Sequence, residues 1–116
     1  MKLKIVEWFI NKTSKNYIYV SGPMTGYLEL NRPLFNKVAN KLLDYGYRVV
    51  NPAWFADGLW KYCLIRDLII MLLFCNKVAL LPGWKKSKGA QLEVAVAKKL
   101  GFRIYSYKYW LKRGRR

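Results

Sequence analysis

The chain predicts a single α/β domain, a parallel sheet of four or five strands with helices on both faces. Short segments rich in Val, Ile and Tyr alternate with longer runs of helical periodicity, as in sheets whose parallel strands are joined by helical crossovers. Gly and Pro punctuate the segment ends. With 116 residues, 53% of them apolar, the chain can build one core and has no room for a second domain.

The elements follow in order. Residues 16–20 (NYIYV) predict a strand that ends in the turn 21–26 (SGPMTG). Asn31 is the expected N-cap of the next helix, with Pro33 in its first turn and Gly46 as its stop. Residues 47–52 (YRVVNP) form the second strand, and a loop through Trp54, Asp57 and Gly58 leads into a helix over 60–75 that is apolar on every side. Such a helix suggests a subunit interface, because one sheet cannot cover its whole circumference, so a homodimer is expected. Residues 77–83 (KVALLPG) form the third strand, 87–101 a helix stopped by Gly101, and 102–107 (FRIYSY) the fourth strand. Residues 4–10 (KIVEWFI) either add an edge strand or fold back as a hairpin on 16–20. The domain is expected to span residues 1–107, with 108–116 as a basic C-terminal tail.

Twenty-two Lys and Arg stand against six Asp and Glu, a formal charge of +16, and the partner of such a chain should be anionic. Eleven of the basic residues lie from Lys85 onward. In the tail, Lys108, Lys112, Arg113, Arg115 and Arg116 are interleaved with Tyr105, Tyr107, Tyr109 and Trp110. That pattern suits either a nucleic-acid backbone with rings for stacking or a solvated basic segment. There is no His, which excludes His-based triads and His metal sites and moves acid/base work to carboxylates, Tyr or Lys. Cys63 and Cys75 lack metal-ligand spacing and read as buried free thiols in a reducing compartment; no metal or cofactor is expected. The apolar run after Asp67 is far shorter than the roughly 20 residues of a membrane span, and the first ten residues do not form a signal peptide. The expectation is a soluble, cytoplasmic protein without a membrane partner.

Two carboxylates stand out. At about 100° per residue, Lys88, Gln91, Ala95, Lys98 and Lys99 share one side of their helix, and Glu93 points to the other with Gly89, Ala90, Ala97 and Leu100. Asp67 has Cys63, Leu64, Ile70 and Met71 as its helical neighbours, and Arg66 is adjacent in sequence without being an obvious partner. A buried carboxylate costs several kcal/mol unless paired or hydrogen-bonded, so two in so basic a chain suggest a functional pair. The other candidates lie at strand exits, where open α/β sheets bind ligands. They are Ser21, Gly22, Pro23, Met24, Thr25 and Gly26 after the first strand, Asn51 after the second, and Trp84, Ser87 and Gly89 after the third. Ser87 and Gly89 open a helix amid Lys85, Lys86 and Lys88, where free N–H groups attract anions, and Trp84 suits stacking on a base.

The segments YVSGPMTG, NRPLFN, VVNP, a Trp with RDL in the following helix, and VALLPGWKKSKGAQLEVAVAKKLG closely resemble small, mostly phage and bacterial, nucleoside 2-deoxyribosyltransferase-like proteins of an uncharacterised-domain family. More distantly they resemble nucleoside 2-deoxyribosyltransferases and 2'-deoxynucleoside 5'-monophosphate N-glycosidases. The resemblance covers residues 17–107, and its most specific part is the Ser-x-Gly-x-x-x-Glu run from Ser87 to Glu93. It implies a flavodoxin-like or Rossmann-like sheet, a dimer whose sites draw on both subunits, and cleavage or transfer at the N-glycosidic bond of a deoxynucleotide. By that resemblance Glu93 is the nucleophile toward C1', Asp67 the proton donor to the leaving base, and Tyr19 the residue that holds the nucleophile. Ser87 and Gly89 would bind the 5'-phosphate. Transferases of free nucleosides tend to carry a carboxylate where Ser87 stands, so Ser87 favours a monophosphate.

Two features depart from the resemblance: Asn76 stands where relatives have Asp before the third strand, and the basic tail is not a family trait. They keep two alternatives open, a non-catalytic nucleotide binder acting as sponge or sensor and a basic nucleic-acid-binding module.

Overall fold

The computed structural model describes residues 16–55 and 60–114. Four parallel strands form one sheet: β1 (Tyr17–Ser21), β2 (Arg48–Val50), β3 (Cys75–Leu80) and β4 (Arg103–Ser106), in the order β2-β1-β3-β4. Helices α1 (Arg32–Asp44), α2 (Trp60–Phe74), α3 (Lys88–Lys99) and α4 (Tyr107–Arg113) follow the strands in alternation. The expected α/β sheet is present, Rossmann-like in its order. Because β2 and β3 lie on opposite sides of β1, the chain reverses direction across the sheet there, and a crevice opens at the carboxyl ends of β1 and β3.

Strand alternation divides the core into two layers. Ile18 and Val20 of β1 pack with Val49, Ala79 and Leu81 against Phe35, Val38, Ala39 and Leu42 of α1 and Trp110 of α4. Tyr19 faces the other way, with Val50, Cys75 and Val78, against Met71 of α2 and Ala97 of α3. The sheet is thus covered on both faces, as the near-continuous apolar character of β1 and β3 requires. Helix α1 ends before Gly46 and α3 before Gly101, both with positive φ. Both cysteines are free.

Three expectations are revised or fall outside this frame. Asn31 does precede α1, but in a left-handed conformation, and its Nδ2 donates to Pro23 O at 2.9 Å instead of its side chain capping the helix. It therefore ties the helix entrance to the 21–26 turn. The basic segment from residue 108 is not a free tail through Arg113. Residues 107–113 are helical, Ser106 caps them by accepting from Tyr109 N–H, and Trp110 is buried, its Nε1 donating to Val78 O at 2.8 Å. Tyr105 and Tyr109 stack on each other with centroids 3.9 Å apart. Trp110 serves the fold first, because an amphipathic aromatic buries its body while the lysines beside it stay in water, whereas Tyr105 remains 43% exposed. Residues 4–10, Asp57, Gly58, Arg115 and Arg116 lie outside the described residues.

If α4 is part of the core, Trp110→Ala should lower stability by about 3–5 kcal/mol, and the neighbouring exposed Lys112→Ala should change it by less than about 0.5 kcal/mol. Urea unfolding of the two variants separates a packed helix from a solvated tail, for which both changes would be neutral.

Candidate active site

The two-residue period of a strand places Tyr19 and Ser21 on the same face of β1. Both are fully buried, and both point to the layer of α2 and α3. Helix α3 turns Ala90, Glu93 and Ala97 toward the sheet and Lys88, Gln91, Ala95, Lys98 and Lys99 toward solvent, as its sequence pattern predicts. Leu100 departs from that pattern: at the helix terminus it is 46% exposed. Glu93 is 7% exposed, and each of its oxygens has a partner. Tyr19 Oη donates to Oε2 at 2.7 Å, and Ser21 Oγ donates to Oε1 at 2.8 Å.

Burial pushes the Glu93 carboxyl up to about 7, against the two hydroxyl hydrogen bonds, which favour its ionised form; the negative charge of Asp67 pushes in the same direction as burial. Asp67, on α2, is 8% exposed. Burial raises its carboxyl as well, while Arg66 and the Tyr19 hydroxyl draw it back. Arg66 is the partner that helical spacing seemed to exclude. Its flexible side chain curls back so that Nη2 reaches Asp67 Oδ1 at 3.2 Å and Nε reaches it at 3.3 Å. Tyr19 is held well above its ordinary range by burial and then by the Glu93 charge, so its phenol keeps its proton and remains a donor.

Glu93 and Asp67 line one cavity of about 70 Å³ at the carboxyl edge of the sheet. Gly22, Met24, Thr25, Ser87 and Gly89 line it too, as the sequence suggested, and Phe35, Pro52, Cys63, Leu64 and Ala90 complete the wall. Gly22 permits the strand exit, since a Cβ there would lie 2.7 Å from Leu81 Cβ. Ser87 caps α3, its Oγ accepting from Ala90 N–H at 3.2 Å, and Gln91 N–H bonds to Ser87 O. The N–H groups of Lys88 and Gly89 precede the helical ladder and are available to a ligand. Gln91 Nε2 donates to Lys85 O and so holds the lysine-bearing turn against α3.

Four expected site residues lie elsewhere. Trp84 lines a separate cavity toward β4. Asn51 is fully buried but structural: its Nδ2 donates to Asn36 Oδ1 and its Oδ1 accepts from Ala53 N–H. Pro23 lines an adjoining basin, and Gly26 supports the turn with a φ of 86°. Asn76 is at the amino end of β3, accepting from Lys77 Nζ, and so sits at the opposite end of the sheet from Glu93. The sequence reading assigned Ser21 to substrate and missed it as a partner of Glu93. The signal was its two-residue spacing from Tyr19. Cys63 and Leu64 were likewise legible, as the residues one turn before Asp67.

Residues 16–106, from the entrance of β1 to the end of β4, match a domain family of unknown function, DUF4406. The chain belongs to this family. The matched stretch contains every residue of the Glu93 cavity. No curated protein and no solved structure matches the chain.

The raised Glu93 carboxyl has a consequence for stability. Between pH 4.5 and about 7 the folded chain holds a proton there that the unfolded chain has lost, so this contribution is full below pH 4.5 and declines as pH rises through 7. Glu93→Gln should therefore stabilise the protein at pH 8 by up to roughly 3 kcal/mol and by little at pH 4.5, measured by denaturant midpoints at the two values. Gly22→Ala, in contrast, should cost about 1–3 kcal/mol at both pH values, because the new methyl meets Leu81.

Proposed function

We propose that the protein cleaves, or transfers at, the N-glycosidic bond of a deoxynucleoside 5'-monophosphate, with Glu93 as nucleophile. The observation that carries this reading is a buried carboxylate, gripped by two hydroxyls from one strand, that shares a cavity with a second carboxylate and with a helix N-terminus suited to phosphate. It is the division of labour of a retaining glycosidase, and it needs no His. In this scheme a Glu93 oxygen attacks C1', the bond from C1' to the base nitrogen breaks, and Asp67 gives its proton to the departing base. Water, or a second base, then attacks C1'. Asp67 takes the proton from that acceptor, and the ester bond to Glu93 breaks. Each Glu93 oxygen accepts one hydrogen bond and keeps lone-pair capacity for the attack. Two nearby carboxyls, both raised, favour the state in which one is ionised and the other protonated.

The 5'-phosphate is assigned to the turn at Ser87 and Gly89. The free N–H groups of the helix and Lys86 and Lys88, which line the basin beside it, supply the charge. A homodimer is part of the proposal. Helix α2 exposes Ile65, Ile69 and Leu72, a stripe at helical spacing with exposures of 50%, 51% and 43%. Asn76 gives no support to the reading of a non-catalytic binder, because it lies at the far end of β3. Among the described residues, no helix is long and apolar enough to cross a membrane.

Incubation with the four deoxynucleoside monophosphates, followed by chromatography for free base, tests the proposal. Release is expected from at least one, with Glu93→Ala lowering it at least about a thousandfold. The rate should rise as Glu93 ionises through about pH 7. No release from any substrate, or release that survives Glu93→Ala, refutes it.

A further inference from the structure

Among the described residues, the Glu93 pocket is followed by two further cavities along the carboxyl edge of the sheet. It shares Thr25, Ser87 and Gly89 with a basin of about 370 Å³. That basin shares Lys86 with a third cavity of about 470 Å³ at the ends of β3 and β4. At Gly83, which lines the third cavity, a Cβ would lie 2.9 Å from Tyr27 Oη and 3.4 Å from Pro23 Cγ, both of which belong to residues of the basin. The two spaces come within one side chain of each other there.

The third cavity has its own chemistry. Trp84 and Tyr107 supply rings, and Lys85, Lys86 and Lys108 supply charge. Lys85 Nζ stands 6.0 Å from the Trp84 ring centroid. Among the described residues, no carboxylate lines this cavity. Rings beside ammonium groups favour a planar, anionic ligand, because base-to-aromatic stacking tolerates any base and the lysines meet phosphate charge. A mononucleotide with its sugar at Glu93 and its phosphate at Ser87 would leave this space unused.

We propose that the ligand of this site is a nucleotide whose 5'-phosphate is bonded to a second nucleoside, and that the third cavity receives that second nucleoside against Trp84. The proposal rests on the N-glycosidic reading for the direction of the ligand, while the composition of the third cavity argues for the extension independently. The recognised chemistry is the same whether the link is a phosphodiester or a pyrophosphate: two bases, a linking anion and a row of lysines from Lys86 to Lys108.

Calorimetry on Glu93→Gln protein, which keeps ligands intact, tests this with three probes carrying the same deoxynucleotide: the 5'-monophosphate, the dinucleoside monophosphate and the dinucleoside diphosphate. At least one linked probe should bind about tenfold or more tighter than the monophosphate, within the range expected for stacking one base. Which of the two wins identifies the link. Trp84→Ala should remove most of that gain, and the surface pair Lys85→Ala with Lys108→Ala should reduce it and flatten its salt dependence. Both variants should leave monophosphate affinity within about twofold. Equal affinity for all three probes, or a gain that survives both variants, overturns the extension and leaves the Glu93 reading standing. Failure of every probe to bind overturns both.

Discussion

Glu93 is held inside the protein by two hydroxyls that come from the same strand, two residues apart, and the site depends on that grip. An ionised carboxylate in this position costs several kcal/mol if unpartnered, and the Tyr19 and Ser21 hydrogen bonds reduce the cost without removing it. The result is a group poised near neutrality, with burial and Asp67 pushing one way and the hydroxyls the other. Such a balance suits a group that must be ionised to react yet stay out of water.

The sheet order explains why these groups meet. Placing β1 between β2 and β3 opens the crevice at the end of β1, where Ser21 is the last strand residue. Helices α2 and α3 cover the same face and bring Asp67 and Glu93 to it, while α1 and α4 complete the opposite layer. The acidic pair is thus buried at the carboxyl edge of the sheet, in a molecule whose net charge is +16. In the proposed reading, the lysines of the adjoining basin meet an anionic ligand and the carboxylates meet its electrophilic carbon.

Much of this was legible in the sequence because it depends on periodicity. The alternation of strands and helices gave the parallel sheet, the 100° rule turned Glu93 inward, and the helical neighbours of Asp67 marked it as buried. What periodicity cannot show is which way a residue beyond a strand end turns in three dimensions. Trp84 follows β3 just as Ser87 does, yet Gly83 sends its ring toward β4 and away from Glu93. Asn51 sits at a strand exit like Ser21, but its amide is taken up by Asn36 and Ala53. Trp110 lies in a run so basic that its composition reads as a tail, and only its packing against α1 and its hydrogen bond to Val78 O reveal its role in the core. Arg66 reaches Asp67 through side-chain flexibility that helical spacing does not describe.

The most direct measurement is a carbon NMR titration of the Glu93 side-chain carboxyl in the wild-type protein and in Tyr19→Phe. The account predicts a midpoint of about 7 in the wild type and a higher one in Tyr19→Phe, where a hydrogen bond that favours the ionised carboxylate is lost. A wild-type midpoint in the ordinary carboxylate range, unmoved by Tyr19→Phe, would contradict it.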